Sequence, residues 1–285
     1  MSSGTAPHEI VRAQLDRLGQ LAQLDPLADR LDSLVRKPLE NPPVRNALSG
    51  VWLGHRLHPM LTDVAITCFA GSFAVDLVAP RHSRIARRLI GLGILAALPT
   101  AASGLSDWID VYDDGRRIGL VHASGNSLAL LLYTRSFLRR GRKNGGRLSG
   151  FLALATLAVT GYLGGHLSYV LGVGVDHTAF EPRIEEWVDV GAEEDLAPDG
   201  RLVARAGEVE VLVVRSGGSL RALANRCSHA GWPLAPGKFE DGRVTCPQHG
   251  SVFELADGKV VRGPAASPQR TLEVRVHDGR IEVRS

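Results

Sequence analysis

Long apolar segments in the first two thirds of the chain constrain its fold more than any other feature. Four of them stand out, at residues 59–80, 89–108, 118–134 and 148–175, and the third is the shortest and most polar. A bilayer core requires about 20 apolar residues per helix. The sequence therefore predicts an α-helical bundle with four transmembrane spans. The alternative is a soluble bundle, but soluble helices normally carry a polar face.

The composition changes sharply after this region. From about residue 183 the chain becomes polar, with valine-rich runs separated by Gly, Pro and Asp. This pattern is typical of an all-β domain with short strands. We therefore expect a two-part fold with three regions: an amphipathic helical region at 1–50, a four-helix transmembrane domain at 51–178 and an all-β domain at 183–285. The formal net charge of +3 gives no case for binding nucleic acid.

Residues 8–36 have the pattern of two amphipathic helices, with Asp25-Pro26 suited to the start of the second. The pattern leaves two alternatives open for their apolar faces, which are contact with the membrane surface and packing on the bundle.

Basic residues concentrate in two connections between the apolar segments. They are Arg81, Arg84, Arg87 and Arg88 in the first, and Arg135, Arg139, Arg140, Arg142, Lys143 and Arg147 in the second. Positively charged loops stay in the cytoplasm. We therefore predict a multi-pass membrane protein, with both termini and the all-β domain on the non-cytoplasmic side.

Three histidines fall toward that same non-cytoplasmic face. They are His58 before the first span, His122 at the start of the third and His166 late in the fourth. Ionisable side chains in membrane helices usually face the interior and mark a site, and neutral imidazole ligates haem iron, copper and zinc. Three readings remain open: a haem b site, a site for another metal or a quinone, and hydrogen bonds across the bundle.

Two short boxes in the C-terminal region pair a cysteine with a histidine. Cys227 and His229 enclose one residue, Cys246 and His249 enclose two, and 16 residues separate His229 from Cys246. Two thiolates and two imidazoles could hold zinc, although the one-residue gap is unlike the wider spacing of most zinc sites.

These boxes resemble those of the Rieske family, and the resemblance covers most of residues 185–285. It implies a [2Fe–2S] cluster in which Cys227 and Cys246 bind one iron and His229 and His249 bind the other, with the histidines exposed. It also implies a third loop over the cluster, which contains Pro264.

The resemblance is closest to the ferredoxin type that serves aromatic-ring dioxygenases. Trp232 and Gln248 stand where quinol-oxidising members carry disulfide cysteines. Ser251 is in the position from which a hydroxyl can bond a bridging sulfide, and Phe253 replaces a tyrosine that supplies a second donor. Fewer donors stabilise the reduced cluster less, so the resemblance implies a low to intermediate reduction potential.

The stretch "GHRLHPMLTDVAI", with the spans that follow it, resembles a bacterial four-helix membrane domain of unknown function that is often fused to Rieske modules. Together the two resemblances favour a membrane-anchored electron-transfer protein. Its expected partners are the lipid bilayer, a donor and an acceptor protein, and a quinone or haem in the bundle. The alternatives are a tethered ferredoxin component of an oxygenase system and a membrane redox sensor.

Overall fold

The structure is a computed structural model that describes residues 6–140, 145–197 and 200–285. The chain forms two compact units: one contains the residues up to 40 together with 57–173, and the other contains 41–56 together with 174–285. Arg142 and Lys143, which contribute to the orientation prediction, lie outside the described residues, as do residues 1–5 of the predicted N-terminal region.

The first unit is helical. Its α-helices are α1 Pro7–Gly19, α2 Asp25–Leu39, α4 Leu57–Val78, α5 Ser83–Trp108, α6 Asp113–Arg139 and α7 Arg147–Tyr169, with a 3₁₀ turn at Ala22–Leu24; α3, Pro42–Ser49, belongs to the second unit. The predicted apolar segments thus correspond to α4, α5, α6 and α7.

Among the described residues, three helices are long and apolar enough to cross a membrane, namely α4, α5 and α7. The fourth, α6, has the length but carries His122, Asn126 and Arg135 along it. The structure therefore contains a helix at each predicted span, while its composition supports three spans.

The N-terminal helices pack on the bundle, which resolves the alternative that the sequence left open. Leu15 of α1 lies in a buried cluster with Ile118 of α6 and Leu163 of α7. The Arg117 guanidinium binds the carboxylate of Asp25, with 2.7 Å between Nε and Oδ1. Apolar burial and charge pairing together place these helices against the bundle.

The bundle is built from two related helical hairpins, α4–α5 and α6–α7. His58 and His122, Phe69 and Tyr133, and Asp76 and Arg140 are 64 residues apart in all three cases, from 58 to 122, from 69 to 133 and from 76 to 140. Members of two pairs are in contact: the Phe69 and Tyr133 rings stack with centroids 3.8 Å apart, and Arg140 Nη1 donates to Asp76 Oδ1 at 2.7 Å. Equivalent residues that contact one another indicate an approximate twofold axis between α4 and α6.

The second unit is rich in antiparallel strands. They are β1 Val188–Ala192, β2 Arg201–Ala206, β3 Val209–Ser216, β4 Ser219–Ala224, β5 Lys238–Glu240, β6 Arg243–Thr245, β7 Val252–Glu254, β8 Val260–Arg262, β9 Thr271–His277 and β10 Arg280–Arg284. They form a six-stranded sheet in the order β1-β10-β9-β4-β3-β2 and a four-stranded sheet in the order β5-β6-β7-β8.

Residues 41–56 belong structurally to the C-terminal unit, although the sequence suggested a boundary near residue 50. Val51 packs against a core that contains Phe253, Leu234 and both box cysteines, and Asn46 forms hydrogen bonds with the end of β8. Burial of this apolar side chain and pairing of the backbone explain why the segment joins this unit.

Candidate metal centre

Each cysteine–histidine box forms a loop beside the four-stranded sheet. The two loops have the same pattern of backbone hydrogen bonds. In the first, Gly231 N donates to Cys227 O at 2.8 Å and Cys227 N donates to Trp232 O at 2.8 Å. In the second, Gly250 N donates to Cys246 O at 3.1 Å and Cys246 N donates to Ser251 O at 2.8 Å. The two cysteines thus begin equivalent turns, and the histidines follow them at the second and third positions.

A glycine closes each turn because the backbone there is left-handed. Gly231 has φ of +74° and Gly250 has φ of +72°. Residues with a Cβ rarely adopt this conformation. The left-handed backbone at the end of each loop therefore explains why Gly231 and Gly250 are glycines.

The two loops bring the histidine side chains together. Nδ1 of His229 and Nδ1 of His249 are 3.1 Å apart, and the rings meet edge to face with centroids separated by 4.8 Å. One metal ion bound tetrahedrally by both nitrogens would hold them about 3.3 Å apart, given metal–nitrogen bonds of about 2.0 Å. The two nitrogens are therefore placed to share one ion.

The two cysteines form a second pair of donors. Both are buried, Cys227 at 1% and Cys246 at 2% exposure. A hydrogen bond between their side chains, together with burial, raises the pKa of Cys227, and the same hydrogen bond lowers the pKa of Cys246. Backbone N–H groups of residues 229 and 230 at Cys227, and of residues 248 and 249 at Cys246, lower the pKa of the thiol they contact. These amides stabilise sulfur as thiolate, the form that binds metal.

His229 is kept neutral by its surroundings. Burial, followed by the positive charge of Arg56, holds the pKa of His229 well below its usual range. A neutral imidazole has a lone pair for metal binding. The expectation that both histidines are exposed is wrong for His229, which is only 8% exposed. His249 is partly exposed.

Of the residues predicted to surround the cluster, Ser251 and Pro264 lie next to each other in the fold, whereas Trp232 and Gln248 are at least partly exposed. Ser251 is fully buried and its Oγ accepts a hydrogen bond from Ala265 N at 2.9 Å. Because Oγ is the acceptor there, the hydroxyl proton is available to another acceptor. Pro264 precedes Ala265 in this third loop. Trp232 is 48% exposed, and Gln248 is half-buried.

Two residues that the sequence reasoning missed hold the first box in place. Gln269 is 2% exposed. Its Nε2 donates to the carbonyls of Ala224 and Arg226, both at 2.8 Å, and its Oε1 accepts from Ser228 N at 2.9 Å. The Asn225 amide oxygen accepts from the backbone N–H of Leu234 and of Ala235. In the sequence, the only signal for Gln269 and Asn225 is that each is a polar residue close to apolar residues.

The described residues contain no group of three or more His, Cys, Asp or Glu side chains arranged around one metal ion. A tetrahedral zinc site needs four ligands at one point. A cluster in which each iron takes two protein ligands needs two separate pairs, and the cysteine and histidine pairs have that form.

The bundle histidines occupy equivalent places in the two hairpins. His58 Nδ1 lies 2.9 Å from Thr100 O, and His122 Nδ1 lies 2.8 Å from Thr160 O. A backbone carbonyl can only accept, so Nδ1 is the hydrogen-bond donor in both rings. At His122, Asn126 Nδ2 lies 3.0 Å from Nε2 and donates to it.

His166 does not share the arrangement of His58 and His122. Gly164 of α7 lies against His122: a Cβ atom added to Gly164 would be 3.0 Å from His122 Cε1. His166 follows two residues later, about 200° around the helix. Two of the three predicted histidines thus occupy equivalent positions of the two hairpins, each bonded to a backbone carbonyl of the neighbouring helix.

Comparison with known proteins assigns both parts of the chain. The model for the Rieske [2Fe-2S] domain matches residues 186–275, so the chain belongs to the Rieske family through its C-terminal part. The model for a predicted membrane protein (DUF2231) matches residues 54–177. The chain therefore combines a Rieske domain with this helical membrane domain.

Among curated proteins, the chain is similar to the ferredoxin subunit of anthranilate 1,2-dioxygenase from Burkholderia cepacia, with 33% identity over 36% of this chain and 95% of that protein. It is 39% identical to the ferredoxin component of biphenyl 2,3-dioxygenase from Rhodococcus jostii (strain RHA1), over 29% of this chain and 77% of that protein. A solved ferredoxin of carbazole 1,9a-dioxygenase from Nocardioides aromaticivorans IC177 is 31% identical, with a TM-score of 0.33 over 35% of this chain and 98% of that one.

Replacing Gln269 by leucine tests its role in the first box. The variant removes a buried partner from Ser228 N–H and from two carbonyls, and each buried polar group left unpaired costs about 1–3 kcal/mol. We expect the free energy of unfolding of the C-terminal unit to fall by about 3 kcal/mol or more. Denaturant titration of the full chain in detergent, followed by tryptophan fluorescence, measures this, because Trp52, Trp187 and Trp232 all belong to that unit. Gln248→Leu is the matched control, and equal midpoints for the two variants would contradict the assignment.

Proposed function

We propose that this chain is a membrane-anchored electron-transfer protein whose Rieske domain holds its [2Fe–2S] cluster through Cys227, Cys246, His229 and His249. The carrying observation is the convergence of the donors into two pairs, with the imidazole Nδ1 atoms 3.1 Å apart and the two buried thiols joined by a hydrogen bond. In this assignment the thiols hold one iron and the imidazoles hold the other.

The chemistry of the residues fits such a cluster. Neutral imidazoles in place of two thiolates reduce the negative charge that an added electron meets, and this raises the reduction potential relative to an all-thiolate cluster. The bound cluster supplies reversible one-electron transfer. The chain supplies the desolvated pocket, the backbone amides that point at each sulfur, and the hydroxyl proton of Ser251.

The dioxygenase ferredoxins support the role of a small electron carrier. Both curated relatives are named as ferredoxin parts of dioxygenases, and this chain joins such a domain to a helical membrane domain. We propose that it passes single electrons between a donor and an acceptor at the membrane. An oxygenase component is the acceptor class that these relatives favour, and a quinone is the donor class that the membrane location favours.

Removal of one thiol tests the ligand set. Cys227→Ser should abolish the EPR signal of the reduced cluster and lower the iron content, because a neutral hydroxyl is a poor substitute for thiolate. Cys68→Ser is the matched control, since Cys68 lies in α4 and is the remaining cysteine of the chain. EPR of the dithionite-reduced full chain measures both variants. A full signal in Cys227→Ser would refute this ligand set.

We propose further that α6 is the fourth membrane span. Two of its polar side chains find partners in α7 or just before it: Ser136 Oγ donates to Gly146 O at 2.7 Å, and Thr160 Oγ1 donates to Asn126 Oδ1 at 2.6 Å. Backbone and polar groups in lipid must be satisfied internally, and this pairing allows a helix of modest hydropathy to sit within a bundle.

The charge distribution supports an orientation with the Rieske domain on the non-cytoplasmic side. Arg81, Arg84, Arg87 and Arg88 are exposed at the connection between α4 and α5. Arg140 is a different case, because it is buried against Asp76 and not part of an exposed loop. The exposed arginines still favour a cytoplasmic location for this end of the bundle.

A reporter fused after Ser285 tests the orientation. We expect activity from a reporter that works only outside the cytoplasm, and no activity from one that works only inside it. A matched pair of fusions in the connection between α4 and α5 should give the opposite result. Activity of the cytoplasmic reporter after Ser285 would reverse the proposed orientation.

The histidine pair of the bundle supports a second redox group, for which haem b is the candidate. Metal-binding histidines commonly donate one ring N–H to a carbonyl, which leaves the other nitrogen to bind the metal, and His58 and His122 have this arrangement through Thr100 O and Thr160 O. Binding at His122 Nε2 would require Asn126 to release it. A quinone, whose two carbonyl oxygens are themselves related by symmetry, is the alternative occupant.

Histidine variants separate these occupants. If haem b binds, the full chain expressed with ample haem should show a Soret band that His58→Ala and His122→Ala each remove. His166→Ala, which alters the histidine outside the pair, should retain it. Absence of a Soret band in the parent chain rejects haem, and a band lost only in His166→Ala rejects the assigned pair.

A further inference from the structure

The segment of residues 41–56, here called the clasp, is separated in sequence from the Rieske domain by the four bundle helices but folds as part of its unit. It contains the short helix α3 and a 3₁₀ turn at Val51–Leu53. The match to the Rieske domain covers residues 186–275, so the clasp is an addition that this chain makes to that domain.

Asn46 of the clasp pairs with the edge of the four-stranded sheet. Its Nδ2 donates to Val261 O at 3.0 Å, and its Oδ1 accepts from Gly263 N at 2.9 Å. Since β8 is the last strand of that sheet, the side-chain amide takes the place that a neighbouring strand's peptide group would occupy. An edge strand otherwise leaves such groups unpaired.

The clasp also approaches the loop closely. A Cβ added at Gly263 would lie 3.3 Å from Ser49 Oγ and 3.5 Å from a methyl group of Val51. Ser49 is fully buried, and Val51 packs against the core that includes Cys227 and Cys246. The absence of a side chain at Gly263 therefore allows Ser49 and Val51 of the clasp to lie directly against the backbone of residue 263.

Residues 263–265 connect Asn46 to the cluster site. Gly263 binds Asn46, and Ala265, two residues later, donates its N–H to Ser251 Oγ at 2.9 Å. Ser251 O in turn accepts from Cys246 N at 2.8 Å. A displacement of Gly263 would therefore shift Ala265 and, through it, the Ser251 hydroxyl beside Cys246.

We infer that the clasp is a functional part of the cluster site and that Asn46 is a positioning residue. It holds the loop of residues 263–265 so that Ala265 fixes Ser251, and Ser251 can then donate to a sulfur atom of the cluster. This inference rests on the proposed cluster. A donor to sulfur stabilises the reduced, more negative form, so loosening the loop should make reduction less favourable.

Three variants of the full chain in detergent test this inference. Asn46→Ala removes both hydrogen bonds, Asn46→Asp keeps an acceptor for Gly263 N–H but loses the donor to Val261 O, and Asn41→Ala alters the residue that caps the same helix. We expect the midpoint potential of Asn46→Ala, from an EPR-monitored titration, to become more negative by about 59 mV, which is tenfold in the one-electron equilibrium. Asn46→Asp should give a smaller shift, and Asn41→Ala should leave the potential unchanged.

Hydrogen exchange supplies a second readout that does not depend on the cluster. Peptides that cover residues 261–266 should exchange about tenfold faster in Asn46→Ala than in Asn41→Ala, because the bond that protects Gly263 N–H is lost. If Asn46→Ala fails to fold, Asn46→Asp carries the test on the midpoint potential, because its carboxylate still accepts from Gly263 N–H and only the donor to Val261 O is lost.

The possible failures are distinguishable. A parent chain without a Rieske EPR signal refutes the proposed function. A normal parent signal, with the potential unchanged in both Asn46 variants and exchange unchanged in Asn46→Ala, refutes only the role of the clasp. Faster exchange with an unchanged potential shows that Asn46 is structural and overturns the positioning role.

Discussion

The placement of two imidazoles, one of them buried, beside two buried thiols is the constraint on which the rest of the C-terminal unit depends. Bringing these polar groups out of water is unfavourable unless they gain partners. The repeated turns of the two boxes, the three hydrogen bonds of Gln269 and the backbone amides at each sulfur supply that organisation. The low pKa of His229 follows from the same burial and keeps its ring neutral and able to bind metal.

The helical unit solves a different problem, which is how to accommodate polar side chains within a membrane bundle. Arg140 and Asp76 neutralise each other, and His58 and His122 each bond a backbone carbonyl of the partner helix in their hairpin. Asp76 and Arg140 occupy equivalent positions of the two hairpins and pair with each other, whereas the two histidines make the same kind of bond within separate hairpins. His166 lies in α7, outside these equivalent positions.

The extent to which the sequence predicted this structure depends on the range of the interactions. The boxes are local in sequence and their spacing is distinctive, so Cys227, His229, Cys246 and His249 could be predicted as one site. Three of the four predicted spans correspond to described helices that are long and apolar enough to cross a membrane. Hydropathy could predict them because the need for about 20 apolar residues is a local property. The hairpin repeat was present in the sequence as the 64-residue spacing of His58 and His122, but few of the equivalent positions are identical.

Long-range contacts were beyond such reasoning. The membership of residues 41–56 in the C-terminal unit depends on two hydrogen bonds of Asn46 with residues more than 200 positions away. The burial of His229 and the role of Gln269 also depend on tertiary packing, which an isolated motif does not encode. Arg140 had the appearance of one more loop arginine, and only the fold shows Asp76 beside it.

The most direct test of the account is the metal and sulfide content of the full chain purified without oxygen. If the two donor pairs hold a [2Fe–2S] cluster, elemental analysis should find two iron atoms and two acid-labile sulfides per chain. Zinc at one atom per chain, with no iron or labile sulfide, would contradict the account.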